Sequence, residues 1–308
     1  MTGFSGTIFR ADWFVVKALN PPFYYKLANI PAKRADWYKQ IGVDLDFARQ
    51  VAAERGTVID KSGITLKRRA AARVQGPIGF TWDSYDFASG NAAQDPFTNP
   101  DLATLKYAAG EHIRKGRNGL HYFALYNFEG ERQNEVPQNI VAVDTTDPHR
   151  GPVIPGMSCV RCHKEGGLRP IKYTLADDIR NKGINIFTDD KVLAERLKAT
   201  YLREAELQTA MERDREDYEA TMKAVNGLTV SQNAAELAVV DERYRDYVDA
   251  DTGALEVGLT RSQFCMAMKA SKNGNVLRLA AGDMIEREQF ELAYPEFAIL
   301  AAPYWKKQ

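Results

Sequence analysis

Histidine is scarce in this chain, with four in 308 residues, and cysteine is scarcer, with three. An odd number of cysteines leaves one over from any pair. No second C-x-x-C and no H-x-x-x-H is present, so the sequence lacks the ready-made ligand pairs of an ordinary zinc module. No window approaches the run of about eighteen apolar residues that spans a bilayer, and no transmembrane segment is expected. Neither sign of charge is in excess, since Lys plus Arg and Asp plus Glu both number 41. No global field therefore draws the chain to nucleic acid or to an anionic membrane. The first ten residues, Met-Thr-Gly-Phe-Ser-Gly-Thr-Ile-Phe-Arg, lack the basic region, apolar stretch and small-residue cleavage site of an export signal. An apolar share of 44% is that of a globular protein with a full core, and the length suits one large domain or two ordinary ones.

Against that scarcity stands Cys159-Val160-Arg161-Cys162-His163. A C-x-x-C-H run is what covalent attachment of a c-type haem requires. Two intervening residues let the two sulfurs straddle one porphyrin edge as thioethers, and the next imidazole reaches the iron as proximal ligand. A C-x-x-C pair also serves as a redox dithiol or as half of a zinc site. With four histidines in 308 residues, a His follows a chosen Cys by chance about once in eighty, so the adjacent His163 favours haem over a bare dithiol. A zinc site would need Cys265 with His112, His121 or His149, all far along the chain. One covalent haem c is expected, held by Cys159 and Cys162 with His163 on the iron. Cys265 is left as a core thiol.

The function then turns on the position opposite His163. A side chain there favours electron transfer, and a vacancy permits ligand binding or peroxide chemistry. The remaining histidines are the candidate distal ligands: His121 in an aromatic strand, His149 in the loop leading to the motif, and His112 just before the strand. Methionines on helical patterns are assigned to packing. Arg10, Lys115, Tyr122 and Tyr126 are further polar candidates for a distal pocket.

The periodicities predict an α+β fold, mainly helical, with a small antiparallel sheet or hairpin before the haem motif, and not a minimal all-α cytochrome c. Val43, Phe47 and Val51 read as a short helix stopped by Gly56. Gly76 to Pro100 reads as an irregular loop anchored by Trp82, Tyr85, Phe87 and Phe97. Leu120–Phe128 and Ile140–Val143 read as strands. The cluster Lys67, Arg68, Arg69 and Arg73 reads as a solvated helix face. Thr188 is the expected cap of a helix continuing to Gly227, Ser231 starts a second helix, and Thr260 with Gln263 forms a capping box for a third. The charged run Glu212–Asp217 reads as solvated. Residues 1–187 are taken as a haem-bearing α+β domain and 188–308 as a helical region packed against it.

The segments Ile8-Phe9-Arg10-Ala11-Asp12-Trp13-Phe14, Gly110-Glu111-His112-Ile113, Asn118-Gly119-Leu120, Met157–His163 and Glu288-Gln289-Phe290-Glu291 resemble a family of poorly characterised bacterial exported mono-haem c-type cytochrome domains. The resemblance covers nearly the whole chain and implies haem at Cys159, Cys162 and His163. It also implies a periplasmic or otherwise extracytoplasmic location, often at the C-terminal end of a longer exported protein. The expected role is single-electron transfer to a redox partner protein or within a larger exported assembly. An open-site haem enzyme or gas-binding protein, with peroxidase-like or nitric oxide and hydroxylamine chemistry, is the alternative, and a non-haem zinc or structural module is a third.

Overall fold

The computed structural model describes residues 10–46, 53–59, 69–87, 95, 96, 98, 100, 105–137, 143–169, 177 and 190–305, with the backbone alone for 53–59. It is an α+β protein. The chain divides into one unit formed by residues 17–238 and another formed by 1–16 with 239–308. Two helices beyond residue 188 fall in the same unit as the C-x-x-C-H motif.

The larger unit is built on five antiparallel strands in sequence order: β1 (Ala53–Ile59), β2 (Arg69–Gln75), β3 (Phe80–Asp86), β4 (Ala109–Lys115) and β5 (His121–Asn127). Pairing runs Arg73 to Trp82, Trp82 to Ile113 and Ile113 to Phe123 across the sheet. Since directly paired residues share a face, one face carries Arg69, Arg73, Trp82, Asp86, Glu111, Ile113, His121 and Phe123. The other carries Val74, Asp83, Tyr85, His112, Ala124 and Tyr126. Both faces are covered. After a first helix α1 (Ala11–Ala18), short helices α2 (Phe23–Leu27) and α3 (Arg34–Lys39) lay Tyr24, Tyr25, Trp37 and Tyr38 against Val74, Ala124 and Tyr126 on the second face. The motif helix α4 (Met157–Cys162) and the long α6 (Glu204–Asn226) bring Cys159, Leu207, Ala210 and Met211 onto Phe80, Trp82, Ile113 and Phe123 of the first.

Double coverage corrects several sequence readings. Trp82 and Tyr85 belong to a strand in the middle of the sheet, all seven of whose residues are buried, so the loop assigned to Gly76–Pro100 holds β3. Gly56 lies inside β1 and stops no helix; Phe47 and Val51 fall outside the described residues. Arg69 and Arg73 stand on a strand. Arg69 forks onto Asp86 at 2.6 and 2.7 Å. Arg73 is 2% exposed and forks onto Asp214 of α6 at 2.7 and 3.0 Å. Trp82 donates to the same carboxylate at 2.8 Å. Asp214 is therefore an anchor in the interior, not part of a solvated run. Lys67 and Arg68 lie outside the described residues, as do the Ile140 portion of the second expected strand and the Thr188 cap.

The expected helix from 188 to Gly227 is two helices. In α5 (Lys191–Thr200) the cap is Asp190, whose carboxylate accepts from the Val192 and Leu193 amides. The chain then turns extended at Tyr201, whose buried hydroxyl donates to the Pro96 carbonyl at 2.9 Å. α6 ends at Gly227 with φ +76°, and α7 (Val230–Arg245) follows.

The smaller unit packs α8 (Ala250–Glu256), α9 (Arg261–Met268), α10 (Gly274–Ala280) and α11 (Arg287–Trp305) around Phe264, Met268, Leu279, Phe290 and Phe297. Phe290 and Phe297 stack with centroids 4.7 Å apart. The Thr260–Gln263 capping box forms as expected. Cys265 is partly buried against this core. No helix among the described residues is long and apolar enough to cross a membrane.

Candidate functional site

The motif helix α4 is only six residues long, and its surroundings fix its place. Gly156 enters it at φ +97°, and a Cβ there would fall 2.1 Å from the Leu19 carbonyl oxygen, so only glycine permits this approach. The Met157 amide then donates to that same carbonyl at 2.9 Å. From inside the C-x-x-C pair, Arg161 reaches Asp144 at 3.1 Å and Asp147 at 3.6 Å, which ties the helix to the preceding loop. Both acids and Arg161 are buried.

Cys159 and Cys162 stand three residues apart and so share one helix face. Cys159 is 3% exposed and joins the apolar cluster of Phe80, Trp82, Ile113 and Phe123. Cys162 is partly buried, with Arg169 Nη1 at 3.5 Å from its sulfur. Burial, reinforced by the Glu111 carboxylate, pushes the Cys159 thiol well above its ordinary range. The Cys162 thiol is raised for the same two reasons. A nucleophilic dithiol needs the opposite, a lowered thiol in electropositive surroundings, so the arrangement disfavours disulfide exchange.

His163, 8% exposed, closes the motif with its ring 5.6 Å from that of Phe123. Its Nε2 lies 3.1 Å from Glu111 Oε1, and its Nδ1 is buried with no partner. Glu111 comes from the middle of β4, with Arg69 3.9 Å away and the Cys159 thiol within hydrogen-bonding reach. Burial pushes the Glu111 carboxyl up, yet the His163 ring and Arg69 more than offset it and bring it down to about 2. The carboxylate fixes the orientation of the ring. Two neutral thiols on one helix face, this imidazole and the apolar sheet beneath are a donor set and lining that fit a covalently held haem.

The sheet sorts the other histidines. His121 lies on the face that carries the motif and stacks on Tyr218 of α6, with centroids 3.9 Å apart and planes 6° from parallel. His112 lies on the opposite face, fully buried among Trp37 and Tyr126, with Nδ1 3.0 Å from the Gly110 carbonyl. The sheet itself stands between His112 and the motif, so His112 is a core residue. His149 is exposed in the loop, where its amide donates to Asp147 at 3.0 Å. Tyr122 and Tyr126 also lie on the face away from the motif, Lys115 pairs with Asp217 at 2.5 Å, and Arg10 belongs to the smaller unit. The two tyrosines are thus turned away from the motif. Among the described residues, no group of three or more His, Cys, Asp or Glu is arranged to hold a metal ion by itself.

Sequence reading missed Glu111 and Arg69 as site residues. Their only advance signal is charge at alternate positions inside β-patterned segments, where one face must be buried. Comparison with protein-family models, with curated proteins and with solved structures found no match. The functional reading therefore stands on these side chains.

Proposed function

We propose that this protein is a mono-haem c-type cytochrome that passes single electrons to a partner protein outside the bacterial cytoplasm. The observation that carries the reading is the C-x-x-C-H turn itself, with two protonated thiols on one helix face and a carboxylate-supported imidazole beside them over an apolar sheet. Cys159 and Cys162 would hold the haem through thioethers and His163 would bind its iron. The bound haem would supply one-electron exchange between ferric and ferrous states. Glu111, fixed by Arg69, orients the His163 ring. Arg161 with Asp144 and Asp147 keeps the two thiols in register with that ring. Phe80, Trp82, Ile113 and Phe123 exclude water from the sheet side, and exclusion of water lowers the reorganisation that accompanies a change of charge.

Absorption spectra of oxidised and reduced protein, matured in a bacterial periplasm, test this reading. The expected result is a c-type spectrum whose chromophore survives acid extraction and is lost from Cys159→Ser/Cys162→Ser. Colourless protein with free thiols or stoichiometric zinc overturns it. Rapid carbon monoxide binding to the ferrous form would replace electron transfer with the open-site enzyme or gas-binding alternative.

A further inference from the structure

Two imidazoles, from different strands and loops, meet one turn of backbone on the motif face of the sheet. The turn runs from His163 to Gly167, closed by the Gly167 amide donating to the His163 carbonyl at 3.0 Å. On its far side Gly167 meets His121. A Cβ on Gly167 would fall 2.7 Å from His121 Nδ1 and 2.3 Å from the Tyr218 ring, and φ there is +73° at Gly166 and +76° at Gly167. The paired glycines thus let the chain that follows His163 close directly over the His121–Tyr218 stack. Phe123 links the two rings from beneath, being two residues from His121 on the same strand face and 5.6 Å from His163.

His121 is 6% exposed; its Nδ1 leans on the Gly167 backbone, and its buried Nε2 has no hydrogen-bond partner. A buried ring nitrogen left without a partner is costly, because it has lost its hydrogen bond to water. A phenylalanine would fill the same stack against Tyr218 and Phe80 at no such cost. The polar ring makes sense where a ligand takes up its lone pair.

We propose that His121 is the second axial ligand of the iron bound by His163, with Tyr218 and the Gly166–Gly167 turn holding its ring in place. This rests on the cytochrome reading above. It assigns the closed, electron-transferring state to the site and makes Tyr218 a positioning residue.

The test uses the full-length matured protein, with haem content read by intact mass and iron coordination read separately by ferric absorption and electron paramagnetic resonance. The parent is expected to be low-spin and its ferrous form to bind carbon monoxide slowly or not at all. His121→Ala should lose the low-spin signal, and added imidazole should restore it by entering the vacated space. His121→Phe should keep the parent's circular dichroism and one haem per chain, lose the low-spin signal, and show no rescue by imidazole. A high-spin parent with fast carbon monoxide binding overturns the assignment, as do variants that carry haem and keep the parent's low-spin spectrum. If the alanine variant does not mature, His121→Phe and the parent's carbon monoxide binding decide the matter. A parent without haem overturns the cytochrome reading and this assignment with it.

Discussion

Replacing Asp214 by Ala should destabilise the larger unit by about 3–5 kcal/mol, the cost of breaking a buried ion pair from one side. Asp214 and Arg73 are 3% and 2% exposed. The carboxylate accepts from Arg73 at 2.7 and 3.0 Å and from the Trp82 indole at 2.8 Å. Without it, Arg73 keeps Gln75 at 2.7 Å and a place over the Phe80 ring, 4.8 Å from its centroid, while its buried charge loses both forks of the Asp214 pairing. An exposed pair on a solvated helix face would cost only about 0.2–1 kcal/mol, so the two descriptions of this position differ severalfold. Against a typical total stability of about 5–15 kcal/mol the larger figure is plain in a urea titration followed by tryptophan fluorescence and circular dichroism. The double variant Arg73→Met/Asp214→Leu should recover most of the loss, because two apolar side chains avoid the desolvation cost of both charges. A single-variant loss below about 1 kcal/mol, or a double variant worse than the single, would refute this reasoning.

In the smaller unit, Phe297→Ala removes a fully buried ring stacked on Phe290 and should cost about 3–5 kcal/mol by chemical denaturation. Burial pushes the Asp83 carboxyl up to about 8 from 3.8, against the opposing pull of Arg34. The folded state therefore holds a proton that the unfolded chain releases, so this group's contribution to stability falls as pH rises from about 4 to about 8; the Asp83→Asn difference curve should show that slope, and a flat one would contradict it. Burial brings His112 down to about 3 from 6.5, with Arg34 adding to the effect, so its contribution is full above about 6.5 and is lost as pH falls towards about 3. The His112→Phe difference curve should run opposite to that of Asp83→Asn. Glu111→Gln removes a buried negative charge beside His163 and should raise the reduction potential of the haem protein by tens of millivolts, since a nearby anion favours the ferric state; an unchanged or lowered potential in voltammetry would count against Glu111 as the support of that ring.

What was legible in the sequence was local. The Thr260–Gln263 box, the Gly227 stop and the aromatic-rich strand β5 each depend on residues within one turn or strand, and each forms. β3 escaped because both of its faces are covered; all seven residues are buried, which erases the period-two contrast that marks a half-exposed strand. Arg69, Arg73 and Asp214 read as solvated because their partners are remote, Asp214 lying 141 residues from Arg73. Glu111 has the same cause: its meaning comes from His163, 52 residues away, which only sheet topology brings over it. His112 and His121 are equivalent in composition, and their opposite fates follow from strand parity, since Asp83 pairs with His112 on one face while Lys115 pairs with His121 on the other.

The most direct test of the cytochrome reading is the intact mass of the full chain produced in a bacterial periplasm with haem-attachment machinery. The mass should exceed that of the polypeptide by one haem, survive denaturation, and fall back to the bare polypeptide in Cys159→Ser/Cys162→Ser. A bare polypeptide mass for the parent, with both thiols open to alkylation, would contradict it.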